Sequence, residues 1–257
     1  MISNKLIEKK ALVLKNIFLL LVAILCTPPV HANSLVEWSR NNFQLLHGSG
    51  FKLGANTRST ITFEHANGWR YGDNFMFIDL VQRDDVGLEV YGEWYPRLSM
   101  SRLFGKDLST SVFKDLFIVG GINASTQPEG DSFKAYLLGV GTSFNLPFPG
   151  VINLNFMAQK HDQENTTGIQ ITPSWSIPFA IGRLKFRFDG FLDWVSSSSS
   201  GGEPFILAQP QLLFDVGQFV GNTEGIFLGL EYYYWRNKFG IDGIHDKSFQ
   251  AMLKFDF

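Results

Sequence analysis

The chain has 257 residues, a formal net charge of −2 and 45% hydrophobic residues. Its near balance of 22 basic and 24 acidic side chains excludes the strongly basic footprint of a nucleic-acid binder. The 25 Phe, 6 Trp and 7 Tyr are many for a chain in which helical periodicity is scarce.

The first element is a leader. Lys5, Lys9, Lys10 and Lys15 make a basic start, an apolar run follows from Ile17 to Cys26, and Val30-His31-Ala32 closes it. That is the layout of a secretory signal peptide. The run is too short for a membrane helix, which needs about 20 apolar residues. The predicted cleavage follows Ala32, so residues 1–32 leave and 33–257 form the mature protein. Four Lys and one Glu go with the leader, which turns the net charge from −2 to −5. Cys26 as a lipid acceptor is the rival reading, but Leu25 stands where such sites want a small side chain. The mature chain then has no cysteine and crosses an oxidising compartment without needing a disulfide.

Twelve alternating stretches follow, at 36–47, 57–66, 73–82, 87–100, 112–125, 133–145, 151–161, 168–180, 182–196, 204–217, 226–240 and 248–257. Their spacing predicts a meander of antiparallel strands. The ninth shows the rhythm: Leu184, Phe186, Phe188, Gly190, Leu192 and Trp194 share one face, and Lys185, Arg187, Asp189 and Asp193 the other, with Phe191 among them. A soluble sandwich alternates in the same way. The leader, the strand length and the terminal Phe257 favour a membrane barrel, because tilted spanning strands need about 9–11 residues where soluble strands average about 5–6. The predicted fold is therefore all-β, a 12-stranded antiparallel transmembrane β-barrel with short turns in the bacterial outer membrane. An open edge in lipid would strand N–H and C=O groups, so the first strand must pair with the last. A terminal Phe of this kind resembles the signal read by the barrel assembly machinery.

Both termini are expected in the periplasm. The connections at 82–87, 161–168, 196–203 and 237–247 then face outward, and all are polar. The serine run Ser196–Ser200 reads as a solvated loop. Short turns at 146–150 and 179–183 face inward to the periplasm, while 101–111 and 217–225 are longer than the habit of such barrels. Pro96, Pro173 and Pro178 each remove a ladder donor, so the fourth and eighth strands are expected to bend or end near them. The Asn123-Ala124-Ser125 and Asn165-Thr166-Thr167 triplets match a glycosylation pattern by chance.

Ionisable side chains at membrane depth must avoid lipid, which assigns the bore face of each strand. Glu64 faces in, as do Phe75, Phe77 and Asp79, then Glu89, Tyr91, Glu93, Tyr95 and Arg97. Later strands add Arg187, Asp189, Asp193, Glu231, Tyr233 and Trp235. Phe63, Leu88, Val90, Trp94, Phe186, Trp194 and Tyr232 face lipid or the interface girdle. Such inward charges also pair with one another simply to fill an interior, and that reading stands beside any ligand role.

The segments EHANGWRYGDNFMFIDL (64–80) and GLEVYGEWYPRLSMSRLFGKDLS (87–109) resemble the Tsx/OmpK nucleoside-channel family. ITPSWSIPFAIG (171–182) and YYYWRNKFG (232–240) are similar to it as well. The resemblance implies a barrel with a narrow lumen that passes nucleosides, and one that phages or colicins exploit as a receptor. A nucleoside offers an aromatic base to Phe75, Phe77, Tyr91 or Tyr95, sugar hydroxyls to Asp79 and Glu93, and base carbonyls to Arg97 or Arg187. The alternative is a structural or surface-receptor barrel without selective transport. The expected partners are outer-membrane lipids, small nucleosides, the assembly machinery and a phage or colicin; nucleic acid is not among them.

No enzyme is expected. Barrel lipases need a nucleophile, a base and an orienting group together on the lipid face, and no histidine has a serine partner legible in the sequence. No metal or cofactor is expected either: the mature chain lacks Cys, no His pair has ligand spacing, and the glycine-rich GVGTSF (139–144) precedes no helix.

Overall fold

The computed structural model describes residues 35–83, 87–126, 132–162, 164–220 and 225–257. The predicted leader, the centre of the 82–87 connection and the centre of the 217–225 turn lie outside the described residues. The strands are β1 (Val36–Ser49), β2 (Thr57–Trp69), β3 (Gly72–Arg83), β4 (Gly87–Ser99), β5 (Phe113–Thr126), β6 (Phe133–Phe144), β7 (Val151–His161), β8 (Gly168–Ile181), β9 (Leu184–Val195), β10 (Phe205–Ala208), β11 (Gln211–Asp215), β12 (Ile226–Arg236) and β13 (Asp246–Asp256). Consecutive strands pair antiparallel, and the sheet closes because β1 pairs β13 from Asn42↔Asp256 to Gly48↔Gln250. Phe257 adds two backbone bonds to Asn41, at 2.9 and 3.1 Å. Closure removes the edges that lipid cannot solvate.

β10 and β11 are one membrane strand. Both pair β9 and β12 in an unbroken register, Ala208↔Leu192 continuing as Gln211↔Asp189 and Ala208↔Tyr234 as Gln211↔Glu231. The break is Pro210, which has no N–H to give the ladder. Its neighbours still bond across, Gln209 N–H to Phe191 O at 3.1 Å and Tyr232 N–H to Pro210 O at 2.9 Å. The wall therefore has twelve strands, as the alternation predicts.

The flagged prolines act more gently than expected. β4 and β8 run past them without ending; pairing of β4 with β5 skips Tyr95 and Pro96, pairing of β8 with β9 skips Thr172 and Pro173, and the register resumes unchanged. Pro178 stays paired with Arg187. A rung without a donor costs one bond, and neighbouring rungs hold the alignment.

Of the two turns expected to be short at the end carrying the termini, the one from β8 to β9 has two residues and the one from β6 to β7 has six; two residues also join β2 to β3. The longer β4–β5 connection folds into a helix, α1 (Met100–Phe104), capped by the Ser99 hydroxyl and by Gly105 in the left-handed region. Outward rings gather into girdles. Near the terminal end, Phe43 lies 5.2 Å from Phe63 and 5.5 Å from Phe257, and Phe179, Phe186, Phe214 and Phe219 follow in a row. Tyr232, Tyr234 and Phe249 group at the opposite, loop end. Such belts sit where lipid meets water.

Candidate functional site

Register decides which side chains enter the bore, because cross-strand partners share a face. Buried Gln44 pairs with Thr62, and Thr62 with Asp79, which puts the even residues of β1 and β2 and the odd ones of β3 inside. The same chain of pairs carries Glu64, Phe75, Phe77, Glu89, Tyr91, Glu93, Tyr95 and Arg97 inward on β2 to β4. It does so for Arg187, Asp189 and Asp193 on β9 and for Glu231, Tyr233 and Trp235 on β12. The outward set, led by Trp94 at 47% exposure, occupies the other rows.

The bore has two aromatic walls. On one, Phe75, Phe77, Tyr91, Phe133 and His161 follow one another from β3 to the rim of β7, with successive ring centres 5.6 to 6.3 Å apart. Phe75 is 39% exposed although it faces inward, so the lower end of this ladder meets open space within the bore. On the other wall, Phe205, Trp235, Tyr233 and Phe51 are linked at 5.3 to 6.2 Å.

Between the walls stand carboxylates held by neutral donors. Thr62 donates to Asp79 at 2.5 Å, and Tyr91 donates to Glu93. Thr172 and Gln170 donate to Asp193, and Gln211 and Gln250 donate to Glu231, both of these at 2.8 Å. Two bonds span the bore between non-adjacent strands: Gln170 to the Tyr95 hydroxyl at 3.4 Å, and Gln211 to Gln44 at 3.2 Å.

Towards the terminal end, charge pairs with charge. Lys254 bridges Asp189 at 3.2 Å and Glu64 at 3.3 Å. Arg187 holds Asp189 at 2.8 Å and reaches Asp256 as well, and its guanidinium lies 4.3 Å from the Phe227 ring centre. Lys254–Asp189 and Arg187–Asp256 run between β9 and β13, past β11 and β12, and Lys254–Glu64 runs from β13 past β1 to β2, so these three cross the bore as chords. Arg97 grips Asp73 with two bonds of 2.7 Å and stacks over Phe117.

The loop end is knitted shut on one side. The turn after β12 folds inward instead of standing in water as its polar sequence predicts. Its Lys238 ammonium sits 2.6 Å from Asp246, in a box made by Tyr233, Trp235 and Phe239 with ring centres 5.0 to 5.6 Å away. Asp246 is fully buried, and its other oxygen accepts the Lys52 N–H at 2.7 Å. Burial, with Arg58 nearby, pulls the Lys238 ammonium down to about 8 against the hold of Asp246. The serine run also departs from expectation. It forms a helical turn, α2 (Ser197–Ser200), whose buried Ser199 donates to Gln159 on the bore wall. Glu203 N–H donates to Gly240 O at 2.8 Å, and Asn237 donates to Pro204 O at 3.0 Å, so the two loops lock together.

Sequence reasoning missed the neutral partners Gln44, Thr62, Gln170, Gln211 and Gln250, together with Lys254. Thr62 shares the predicted inward row of Glu64, and Gln250 and Lys254 share the polar face of the last strand, but no row is assigned for the strands of Gln44, Gln170 and Gln211. Lys238 and Ser199 lie outside any strand and gave no such signal. Asn123 and Ser125 of one glycosylation triplet are buried on the inward face of β5.

One histidine does find a serine. His47 Nδ1 is 3.0 Å from Ser59 Oγ on the outward face of β1 and β2. Its other cross-strand partner is Ala251, and the next pair along that face is Leu45 with Ile61. Among the described residues no carboxylate bonds the ring to orient it, as a catalytic triad requires. Among the described residues, no group of His, Cys, Asp or Glu is arranged to hold a metal.

A family model described as a domain of unknown function, DUF5020, matches residues 42–249, nearly the whole barrel. The chain belongs to the DUF5020 family. This DUF5020 barrel is 28% identical over 146 residues to outer membrane protein OmpK of Vibrio parahaemolyticus, covering 52% of the chain and 54% of the relative. OmpK of Vibrio parahaemolyticus serotype O3:K6 (strain RIMD 2210633) is 27% identical over 152 residues, covering 52% and 56%. The DUF5020 chain thus spans about half the length of the curated relatives it matches. Among solved structures, the NanC porin in a rhombohedral crystal form superposes with a TM-score of 0.51 at 11% identity, over 84% of this chain and 98% of that one. That likeness speaks for the fold. Together with the OmpK match it makes the DUF5020 barrel a protein of the bacterial outer membrane.

Proposed function

We propose that this barrel is a passive outer-membrane channel for small solutes, with nucleosides as the substrate class and the termini in the periplasm. The aromatic ladder from His161 to Phe75, with carboxylates along it, carries this reading. A flat base can stack on each ring in turn, and base–aromatic stacking contributes about 1–3 kcal/mol elsewhere. Ribose hydroxyls are donors, and Asp79 and Glu93 accept. Twelve strands enclose a bore wider than an eight-stranded barrel, which its own side chains fill, and narrower than an open porin. The test is the single-channel conductance of the purified protein in planar bilayers, with and without nucleoside. Saturable block by millimolar nucleoside is expected; conductance indifferent to nucleoside overturns the reading.

The chords of Arg187 and Lys254 favour a second reading, in which the bore is filled and the barrel serves as a surface receptor for a phage or colicin. Exchanging loops 162–167 and 237–245 would then abolish phage adsorption, with no conductance to lose.

A further inference from the structure

The turn that carries Lys238 is built unlike its neighbours. Asn237 and Phe239 both hold left-handed backbone, at φ 48° and 57°. Non-glycine residues seldom adopt that region, because the side chain crowds the backbone there. The strain has a visible return: it turns the Lys238 side chain into the bore, where its exposure falls to 2%. What receives the ammonium is a site of a recognisable kind. Three aromatic rings supply negative π-faces, and one carboxylate supplies the counter-charge, which is how proteins bind alkylammonium ions. The box is not sealed, since Phe239 is 46% exposed. The indole Nε1 of Trp235 is buried without a partner, so Trp235 serves the box through its ring alone.

Asp246 also anchors the loop between β1 and β2 through Lys52 N–H, and Arg58 from β2 donates to Leu53 O at 2.6 Å while stacking on Phe51. The Lys238 turn meets the β9–β10 loop at Gly240, where a side chain on Gly202 would collide with Gly240 O. Lys238 and the turn around it thus join loops from three parts of the barrel over the same mouth. We infer that Tyr233, Trp235, Phe239 and Asp246 form an alkylammonium-binding site at the loop end, occupied by the chain's own Lys238 as a tethered ligand that latches the mouth. Without the tether, the site takes a soluble primary alkylammonium of similar reach. The inference deepens the channel reading for the state of the mouth, and the existence of the site is tested apart from it.

The experiment uses the full-length protein with Lys238→Ala, refolded in detergent and checked for a closed barrel by its heat-dependent shift in gel mobility. n-Butylammonium chloride is the probe, with sodium chloride at equal ionic strength as the control. Tryptophan fluorescence of the variant is expected to titrate saturably with n-butylammonium in the millimolar range, the affinity that cation–π contacts and one carboxylate allow. Wild type, whose box is filled, and Lys238→Ala with Asp246→Asn are expected to show no saturable change. In planar bilayers the variant is expected to conduct several-fold more than wild type, and n-butylammonium to reverse part of that gain. A folded variant that shows no saturable titration overturns the site. Titration with unchanged, non-zero conductance leaves the site and overturns the latch. Titration with no conductance in any variant overturns the channel reading instead. If Lys238→Ala fails the mobility check, Lys238→Gln carries the same titration.

Discussion

The two ends of the bore are crossed by contacts of different kinds. At the terminal end, Arg187, Lys254, Asp189, Glu64 and Asp256 all sit on strands, so the ladder itself fixes their positions. At the loop end, closure depends on a turn with two left-handed residues and one lysine. The first can yield only if side chains rearrange; the second can yield if one loop lifts. On the latch reading, what the stiff wall carries in its strands is constriction, and what it carries in its loops is a gate.

The contrast breaks most visibly at the terminal end. Lys254→Met leaves Glu64 and Asp189 without their shared cation, and removing one partner of a buried pair costs about 3–5 kcal/mol. The urea midpoint of unfolding from lipid vesicles should fall accordingly, and Lys254→Met with Asp189→Asn should recover part of the loss. If the single variant unfolds like wild type, the chords are not structural. Phe77→Ala and Tyr91→Ala address the ladder between the ends. Each should weaken nucleoside block by roughly tenfold, in line with about 1–3 kcal/mol per stacked base, while conductance without nucleoside stays near wild type. Equal block in both variants would place the binding elsewhere in the bore.

The smallest effect sharpens the loop end. Lys238 in the latched mouth titrates at about 8, below the 10.5 of a free lysine, because burial and Arg58 outweigh Asp246. Glu89, Arg58, Asp246 and the Tyr233 ring face the ammonium. Below pH 8, where the ammonium is charged, amide exchange at Lys238 and Gly240 should be faster in Lys238→Ala than in wild type; equal rates would show that the ammonium does not hold the turn.

Much of this architecture is legible in the residues because lipid punishes error so heavily. A charge such as Asp79 or Glu231 has one tolerable direction at membrane depth, so a period of two assigns whole strands at once. Strand number survived even at Pro210, where the ladder loses a donor and keeps its alignment. What escaped reading lies outside the strands. Ser199 and Lys238 look like solvent-facing residues in a serine run and a polar loop. They are buried because two loops, far apart in sequence, pack against each other over the mouth, and no local pattern reports that. The neutral partners of the carboxylates escape for another reason: glutamine and threonine carry no charge to force their direction, so strands such as those of Gln44 and Gln170 offer no ionisable residue that fixes their inward row.

The even steps of the ring ladder bear on speed. With neighbouring centres 5.6 to 6.3 Å apart from His161 to Phe75, a flat solute that leaves one ring is already within reach of the next. On the proposed reading no single rung is a deep trap. Transit becomes a series of short, nearly equal hops, and the same surface that captures a dilute solute at the rim lets it go at the far end.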